Sequence, residues 1–254
     1  MAQNFNPTTD GFAFVNYWTL DQATCDEIRD KLNQAVKTIS NYLPLIPAFA
    51  PYRASIQNTL NTWVSKASTQ GFGLCGGMAF AALDYFKAGR VLPSETGPTE
   101  KLSEPLRQYI LNRMRDSFFF VQDGVMHNNL GRVLAWMAVE HLVPFGKHWL
   151  RSRSEAEFQK LQDLIAAHGA WPIALIGESK DPCMNHQVLA YKCASNDTQN
   201  FIYIYDMNHP GAGHMITLDF NGSILQGSSE FTGDTWTPLR CFFCEDYAPV
   251  IPPI

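Results

Sequence analysis

Cys75 is the residue whose setting in the sequence points most directly to chemistry. It follows the stretch Gln70-Gly-Phe-Gly-Leu and opens a helix-like run that ends at Gly89. A thiol at a helix N-terminus feels the positive end of the helix dipole, which lowers its pKa and favours the reactive thiolate. Gly76 and Gly77 each cost about 1 kcal/mol relative to alanine in a helix, so we expect them to admit close approach of another chain or a ligand. The pattern favours a nucleophile over the alternative, a buried structural thiol.

A thiol nucleophile needs a base, and the base needs an orienting partner. His186 opens the apolar run His-Gln-Val-Leu-Ala-Tyr, and Asp206 ends the next such run, Phe-Ile-Tyr-Ile-Tyr-Asp. Asn196-Asp197 is a turn signal midway between them, so a hairpin would bring His186 and Asp206 to one end of two paired strands. We interpret the other histidines as surface, capping or turn residues: His127, His141, His148, His168, His209 and His214.

This order of residues resembles the papain-like cysteine peptidases, in the variants of the bacteriocin-leader-peptidase (C39-like) type. The resemblance rests on a Gln before a Cys at a helix start, a His opening a strand, and the segment Tyr205-Asp206-Met207-Asn208 ending the next strand. It covers roughly residues 65–90 and 183–245. It implies that Cys75 is the nucleophile, His186 the general base and acid, and Asp206 the orienting residue.

The same resemblance implies that Gln70 and the backbone N–H of Cys75 form an oxyanion hole for acyl transfer through a thioester. The chain departs from papain in three ways. Gln70 lies five residues before the cysteine instead of six, Gly76 stands where papain has an aromatic residue, and the Asn-Ser-Trp segment is absent. These departures leave Asn208 as an alternative third member of the triad.

Helices first and strands second predict an α+β fold. Apolar residues at steps of three and four predict helices over 19–43, 56–63, 75–89, 106–118, 130–141 and 155–168. Thr19 with Gln22 and Ser154 are the expected N-terminal caps, and Pro44 and Gly169 the expected stops. Short apolar runs predict strands over 171–177, 186–193, 201–207, 214–220 and 239–247.

We expect one papain-like domain over 1–254, with a helical part to about 169 that packs on an antiparallel sheet from about 170. The helices over 19–65 and 106–141 could be a pro-region, a lid or part of the fold.

Composition excludes several classes of protein. Nineteen Lys and Arg against 24 Asp and Glu give a net charge of −5, and no basic cluster stands out. This argues against binding of nucleic acid or of a membrane through a polybasic anchor. We find no signal peptide and no apolar run of the roughly 18 residues that a membrane helix needs. The expected partner is a peptide or protein substrate, and the cytoplasm is the default compartment, with export by a route without a signal peptide as the alternative.

Other chemistries remain open on the sequence alone. The same triad serves transglutaminases, acyltransferases and deamidases, and a papain-like fold can also bind without catalysis. Cys183-Met-Asn-His186 and Cys241-Phe-Phe-Cys244 have the spacing of zinc ligands, but residues three apart on a regular strand point to opposite faces. We therefore expect no metal and no other cofactor, and we expect the five cysteines other than Cys75 to be structural thiols.

Overall fold

The structure is a computed structural model that describes residues 4–42, 49–66, 73–222, 225–229 and 239–253. The described part has these helices: α1 Gln22–Tyr42, α2 Arg53–Lys66, α3 Cys75–Lys87, α4 Glu104–Phe118, α5 Asn129–Leu142 and α6 Gly146–His168. Its strands are β1 Phe119–Gln122, β2 Val125–Asn128, β3 Trp171–Ile176, β4 His186–Ser195, β5 Asn200–Tyr205, β6 Gly213–Asp219, β7 Gln226–Ser229 and β8 Cys241–Cys244. The predicted α+β class is confirmed, and helices α1–α6 precede residue 169 as expected.

Among the described residues, the larger sheet has six antiparallel strands in the order β7-β6-β5-β4-β3-β8. Its two faces cover two separate cores, because successive side chains of a strand point to opposite faces. On one face, residues such as Leu189 and Phe243 pack in the core that contains α3 and Cys75. On the other face, residues such as Val188 and Phe242 pack with Phe158 of α6. The sheet is thus a middle layer between two cores, and α3 packs against the face from which Leu189 projects.

Two predicted helix starts are wrong. Helix α1 begins at Gln22, and the cap is Asp21, whose Oδ1 accepts a hydrogen bond from the Thr24 N–H at 2.7 Å. Thr19 instead donates its hydroxyl to Glu100. Helix α6 begins at Gly146, so Ser154 lies inside the helix, fully buried.

The predicted stops differ in outcome. Gly169 ends α6 in a left-handed conformation with φ of 81°, a region that favours glycine because it has no Cβ. Pro44 lies outside the described residues.

The predicted hairpin of β4 and β5 is present, with a shifted register. Ser195 pairs with Asn200 and Leu189 pairs with Tyr205, so the turn centres after Asp197, not on Asn196. A bulge between Ala190 and Lys192 adds an unpaired residue to β4. Asp206 directly follows β5. Because of the shifted register, it lies diagonally across from His186 on the neighbouring strand and not directly opposite it. The two side chains still meet, because each lies at the same end of its strand.

The two glycines after Cys75 are explained by packing within the chain, so the expectation of another chain or a ligand is wrong. A Cβ on Gly77 would overlap the carbonyl oxygen of Ile110 in α4. A Cβ on Gly76 would overlap the side chains of Gln187 and Ser117. The glycines therefore allow α4 and β4 to approach the first turn of α3 closely.

Gly77→Ala tests this packing, because glycine to alanine normally stabilises a helix by about 1 kcal/mol. Here we expect the free energy of unfolding to fall by about 1–3 kcal/mol, since backbone of α4 must move. Gly97→Ala is the control, since its Cβ would meet nothing closer than Lys101 at 3.7 Å. Urea denaturation of both variants measures the effect, and a Gly77→Ala protein as stable as wild type would contradict the packing account.

Within the described ranges, no helix combines the length and the apolar character needed to cross a membrane.

Candidate active site

Cys75 is the first residue of α3, as the sequence predicted. Leu74 occupies the N-cap position. Its apolar side chain cannot accept a hydrogen bond from the backbone N–H groups of the first turn. The backbone N–H groups of a first helical turn have no acceptor within the helix, and together with the dipole they favour negative charge. The sulfur of Cys75 is largely buried and lies 3.8 Å from Oε1 of Gln187, which accepts a hydrogen bond when the sulfur carries its proton.

His186 is the first residue of β4, and the structure places it beside both predicted partners. Its Nε2 lies 2.9 Å from Oδ1 of Asp206. Cys75 also raises the pKa of this imidazole, both through a hydrogen bond and through its charge. Burial alone lowers the pKa of His186, but Asp206 and Cys75 outweigh it and raise the pKa to about 10. Both partners therefore favour the protonated form of the ring.

Asp206, not Asn208, is the residue positioned to orient the imidazole. Burial raises the pKa of the Asp206 carboxyl, but the charge and hydrogen bond of His186 outweigh it, so the net pKa is lowered and the group is ionised. An ionised carboxylate only accepts, so Nε2 of His186 donates to it. Nδ2 of Asn208 is farther away, at 3.4 Å, and the Asn208 backbone N–H donates to the same Oδ1 of Asp206 at 2.8 Å. Asn208 thus supports the carboxylate.

The N-terminal segment before α1 holds this loop in place. The backbone N–H of Asn16 donates to the carbonyl of Met207, and its side-chain amide donates to Oδ1 of Asn208 at 3.0 Å. A Cβ on Gly73 would overlap the Asn16 side chain. Asn16 therefore lies between the loop that leads into Cys75 and the loop that carries Asp206, a role that the sequence pattern did not reveal.

Gln70, the remaining predicted site residue, lies outside the described residues. Its role in an oxyanion hole stays a prediction.

Gln187 and Glu245 were missed by the sequence reasoning. Gln187 follows His186 on the strand and faces α3, where its Oε1 meets the Cys75 thiol and the Ser117 hydroxyl. Its Nε2 donates to Oε1 of Glu245, which follows β8 and is 1% exposed. The signal for Gln187 was the strand alternation, which puts it on the face of Leu189. The signal for Glu245 was an acid directly after a fully apolar strand.

Burial raises the pKa of Glu245 to about 8, although the Gln187 hydrogen bond and the charge of Arg132 act in the opposite direction. Between pH 4.5 and 8 the folded state therefore holds a proton that the unfolded state has lost. Stability falls as pH rises through this window.

Glu245→Gln removes that titration. We expect the free energy of unfolding of the variant, relative to wild type, to rise by roughly 4 kcal/mol between pH 4.5 and pH 9. Urea denaturation at both pH values measures the change. Glu104→Gln, at an exposed residue of α4, is the control. A difference between Glu245→Gln and wild type that is the same at both pH values would contradict the raised pKa.

The cavity beside Cys75 has a volume of about 70 Å³. Helices α1, α4 and α5 line it together with His186, Gln187 and Glu245. The same helices share a continuous core with Cys75. Helix α2 belongs to the same core, so α1, α2, α4 and α5 all pack as one body around the candidate site.

The alternative zinc pairs are not arranged as ligand sets. Cys241 packs in the core on the α3 face of the sheet, and Cys244 packs in the core on the opposite face. In the part of the chain that the structure describes, no group of three or more His, Cys, Asp and Glu side chains is placed to hold a metal ion. All six cysteines are free thiols. Burial raises the pKa of the five other than Cys75: Cys25, Cys183, Cys193, Cys241 and Cys244.

Comparison with models of protein families, with curated proteins and with solved structures found no match for this chain. The geometry of Cys75, His186 and Asp206 therefore carries the functional argument by itself.

Proposed function

We propose that this chain is a cysteine-nucleophile enzyme that cleaves amide bonds of a peptide or protein substrate, as a thiol peptidase with a papain-like fold. One observation carries the proposal. A buried histidine is held by a carboxylate at 2.9 Å on Nε2 and interacts with a thiol at a helix N-terminus. Since Asp206 takes Nε2, Nδ1 is the ring atom left to exchange a proton with Cys75.

The proposed reaction has two stages. The Cys75 thiolate attacks the amide carbonyl carbon, so that a C–S bond forms and the oxygen becomes an oxyanion. The backbone N–H of Cys75 and the side chain of Gln70 are the proposed oxyanion donors. When the intermediate collapses, the C–N bond breaks and His186 gives its proton to the leaving amine.

Hydrolysis of the thioester completes the cycle. His186, now neutral, takes a proton from water, and the hydroxide attacks the thioester carbonyl. The C–S bond then breaks, which releases a carboxylic acid and restores the thiolate beside the imidazolium. Asp206 keeps the ring oriented through both stages and stabilises its positive charge.

A peptide-library digest tests this function, with Cys75→Ala as the control. We expect cleaved peptides with the wild-type protein and none with Cys75→Ala. Mass spectrometry after rapid acid quench is expected to show an acyl group on Cys75. Products carrying an added amine nucleophile instead of water would assign the same triad to acyl transfer. Absence of both cleavage and acylation would contradict the enzyme proposal and favour a binding protein.

A further inference from the structure

The cavity beside Cys75 has mostly apolar walls. Ile28 and Leu32 of α1, Phe118 of α4, and Leu130 and Val133 of α5 line it. Its volume of about 70 Å³ exceeds the roughly 10–15 Å³ that a single water needs on this measure. The cavity is therefore large enough for several heavy atoms of a ligand next to the thiol.

Glu245 also lines this cavity, and one of its carboxyl oxygens has no hydrogen-bond partner among the described residues. Oε1 accepts from Gln187, whereas Oε2 is buried and forms no hydrogen bond within the part of the chain that the structure describes. Buried polar atoms in native proteins nearly always have a partner, and an exception calls for an explanation. A ligand in the cavity would supply the missing partner.

Glu245 is also close enough to the thiol to be reached by a substrate. The Gln187 side chain bridges the two, since it accepts from the thiol of Cys75 and donates to Glu245. A substrate side chain next to the amide bond that Cys75 attacks therefore needs only the length of the Gln187 side chain to contact Oε2 of Glu245.

We propose that the cavity is a subsite for an uncharged substrate side chain that ends in a carboxamide, as in glutamine, and that this carboxamide hydrogen-bonds Oε2 of Glu245. A carboxamide has both N–H donors and a carbonyl acceptor, so it can pair with either protonation state of a carboxyl group. An apolar side chain would leave Oε2 without a partner, and an acidic one would place two carboxyl groups together. The raised pKa of Glu245, about 8, keeps the carboxyl mostly neutral near pH 7, which also disfavours a cationic side chain.

This inference rests on the proposed function, because it assumes that Cys75 attacks a peptide held against the cavity. Peptidyl vinyl esters test the subsite without requiring turnover. The Cys75 thiolate adds to the β-carbon of the vinyl group, and the α-carbon takes a proton. One series carries Gln, Met, Glu or Lys at the residue that bears the vinyl group, and a second series varies the neighbouring residue. The rate of Cys75 modification is measured by intact mass and divided by the iodoacetamide rate of the same protein.

In one of the two series we expect the Gln ester to react at least about tenfold faster than the Met ester, which matches it in length but offers no N–H. Glu245→Met should abolish this preference, and Glu245→Gln should retain most of it. Should Glu245→Met fail to fold, Val133→Phe fills the cavity from α5 and should slow the Gln ester at least about tenfold relative to iodoacetamide.

Two kinds of failure are distinguishable. If iodoacetamide labels Cys75 no faster than the other cysteines, the proposed function fails. If Cys75 is reactive but both series show equal rates for Gln and Met, or faster rates for Met, Glu or Lys, the carboxamide subsite is overturned and the proposed function stands.

Discussion

Replacing His186 by alanine is expected to slow alkylation of Cys75 by iodoacetamide at pH 6.5 by about 100-fold or more. The pKa of His186 is raised to about 10, so the imidazole carries a positive charge at this pH, and a positive charge beside a sulfur favours its reactive thiolate form. Alanine removes that charge and leaves the helix N-terminus as the remaining source of stabilisation. The rate is read by mass spectrometry of the peptide that contains Cys75.

His168→Ala is the matched control, since His168 ends α6 and packs on Trp171. It should leave the labelling rate of Cys75 within about twofold of wild type. Equal slowing in both variants would point to a general loss of structure. No slowing in His186→Ala would refute the pairing of thiol and imidazole.

The largest expected effect on stability comes from Asp84, which anchors α3 behind the candidate site. Its buried carboxylate accepts hydrogen bonds from the hydroxyls of Tyr109 and Tyr247 and from the backbone N–H of Val250. Arg113 Nε lies 2.6 Å from it, and the two side chains are 3% and 0% exposed. Asp84→Ala removes the fully buried counter-charge of Arg113 and leaves it the partly exposed carboxylate of Asp116, so we expect a loss of about 3–5 kcal/mol in the free energy of unfolding.

The surface pair of Asp26 and Arg29 provides the comparison. Its side chains are 55% and 41% exposed at a separation of 3.0 Å, and Asp26→Ala should change stability by at most about 0.5 kcal/mol. The double variant Asp84→Leu with Arg113→Met removes both buried charges and should be more stable than Asp84→Ala. Urea denaturation of the three variants measures this, and a loss below about 1 kcal/mol in Asp84→Ala would contradict the anchoring role.

Local patterns predicted most of the elements. Periodicities of 3.6 and 2 mark faces that must be buried, which is why α3, β4 and β5 follow from the sequence. The start of α6 did not follow, because long-range contacts fix its first turns. Gly146 lies against the Val139 carbonyl of α5, and Ser154 accepts from the Phe242 N–H of the sheet. The β1–β2 hairpin was missed although its signal was present, since Asp123-Gly124 adopts positive φ at both residues, as tight hairpin turns require.

The candidate site likewise contains residues that the sequence predicted and residues that it did not. Cys75, His186 and Asp206 each lie at one end of an element, and one hairpin relates the last two. Cys75 was grouped with them because a thiol nucleophile needs a base and because of the family resemblance. Gln187 of β4 and Glu245, which follows β8, meet across β3. Strand β8 forms the sheet edge and pairs with β3, and β3 pairs with β4. Such long-range pairing depends on the whole topology, which no local pattern specifies. The sequence therefore predicted that Cys75, His186 and Asp206 lie together, but not the polar groups behind them.

The most direct test of the account is the pH dependence of iodoacetamide labelling at each of the six cysteines, resolved by peptide mass spectrometry. We predict that Cys75 reacts well below pH 8 and faster than the other five, because it has an imidazolium partner and a helix N-terminus. Burial, by contrast, raises the pKa of the other thiols. Labelling of Cys75 that is no faster than theirs between pH 6 and pH 8 would contradict the central claim that it is a nucleophile.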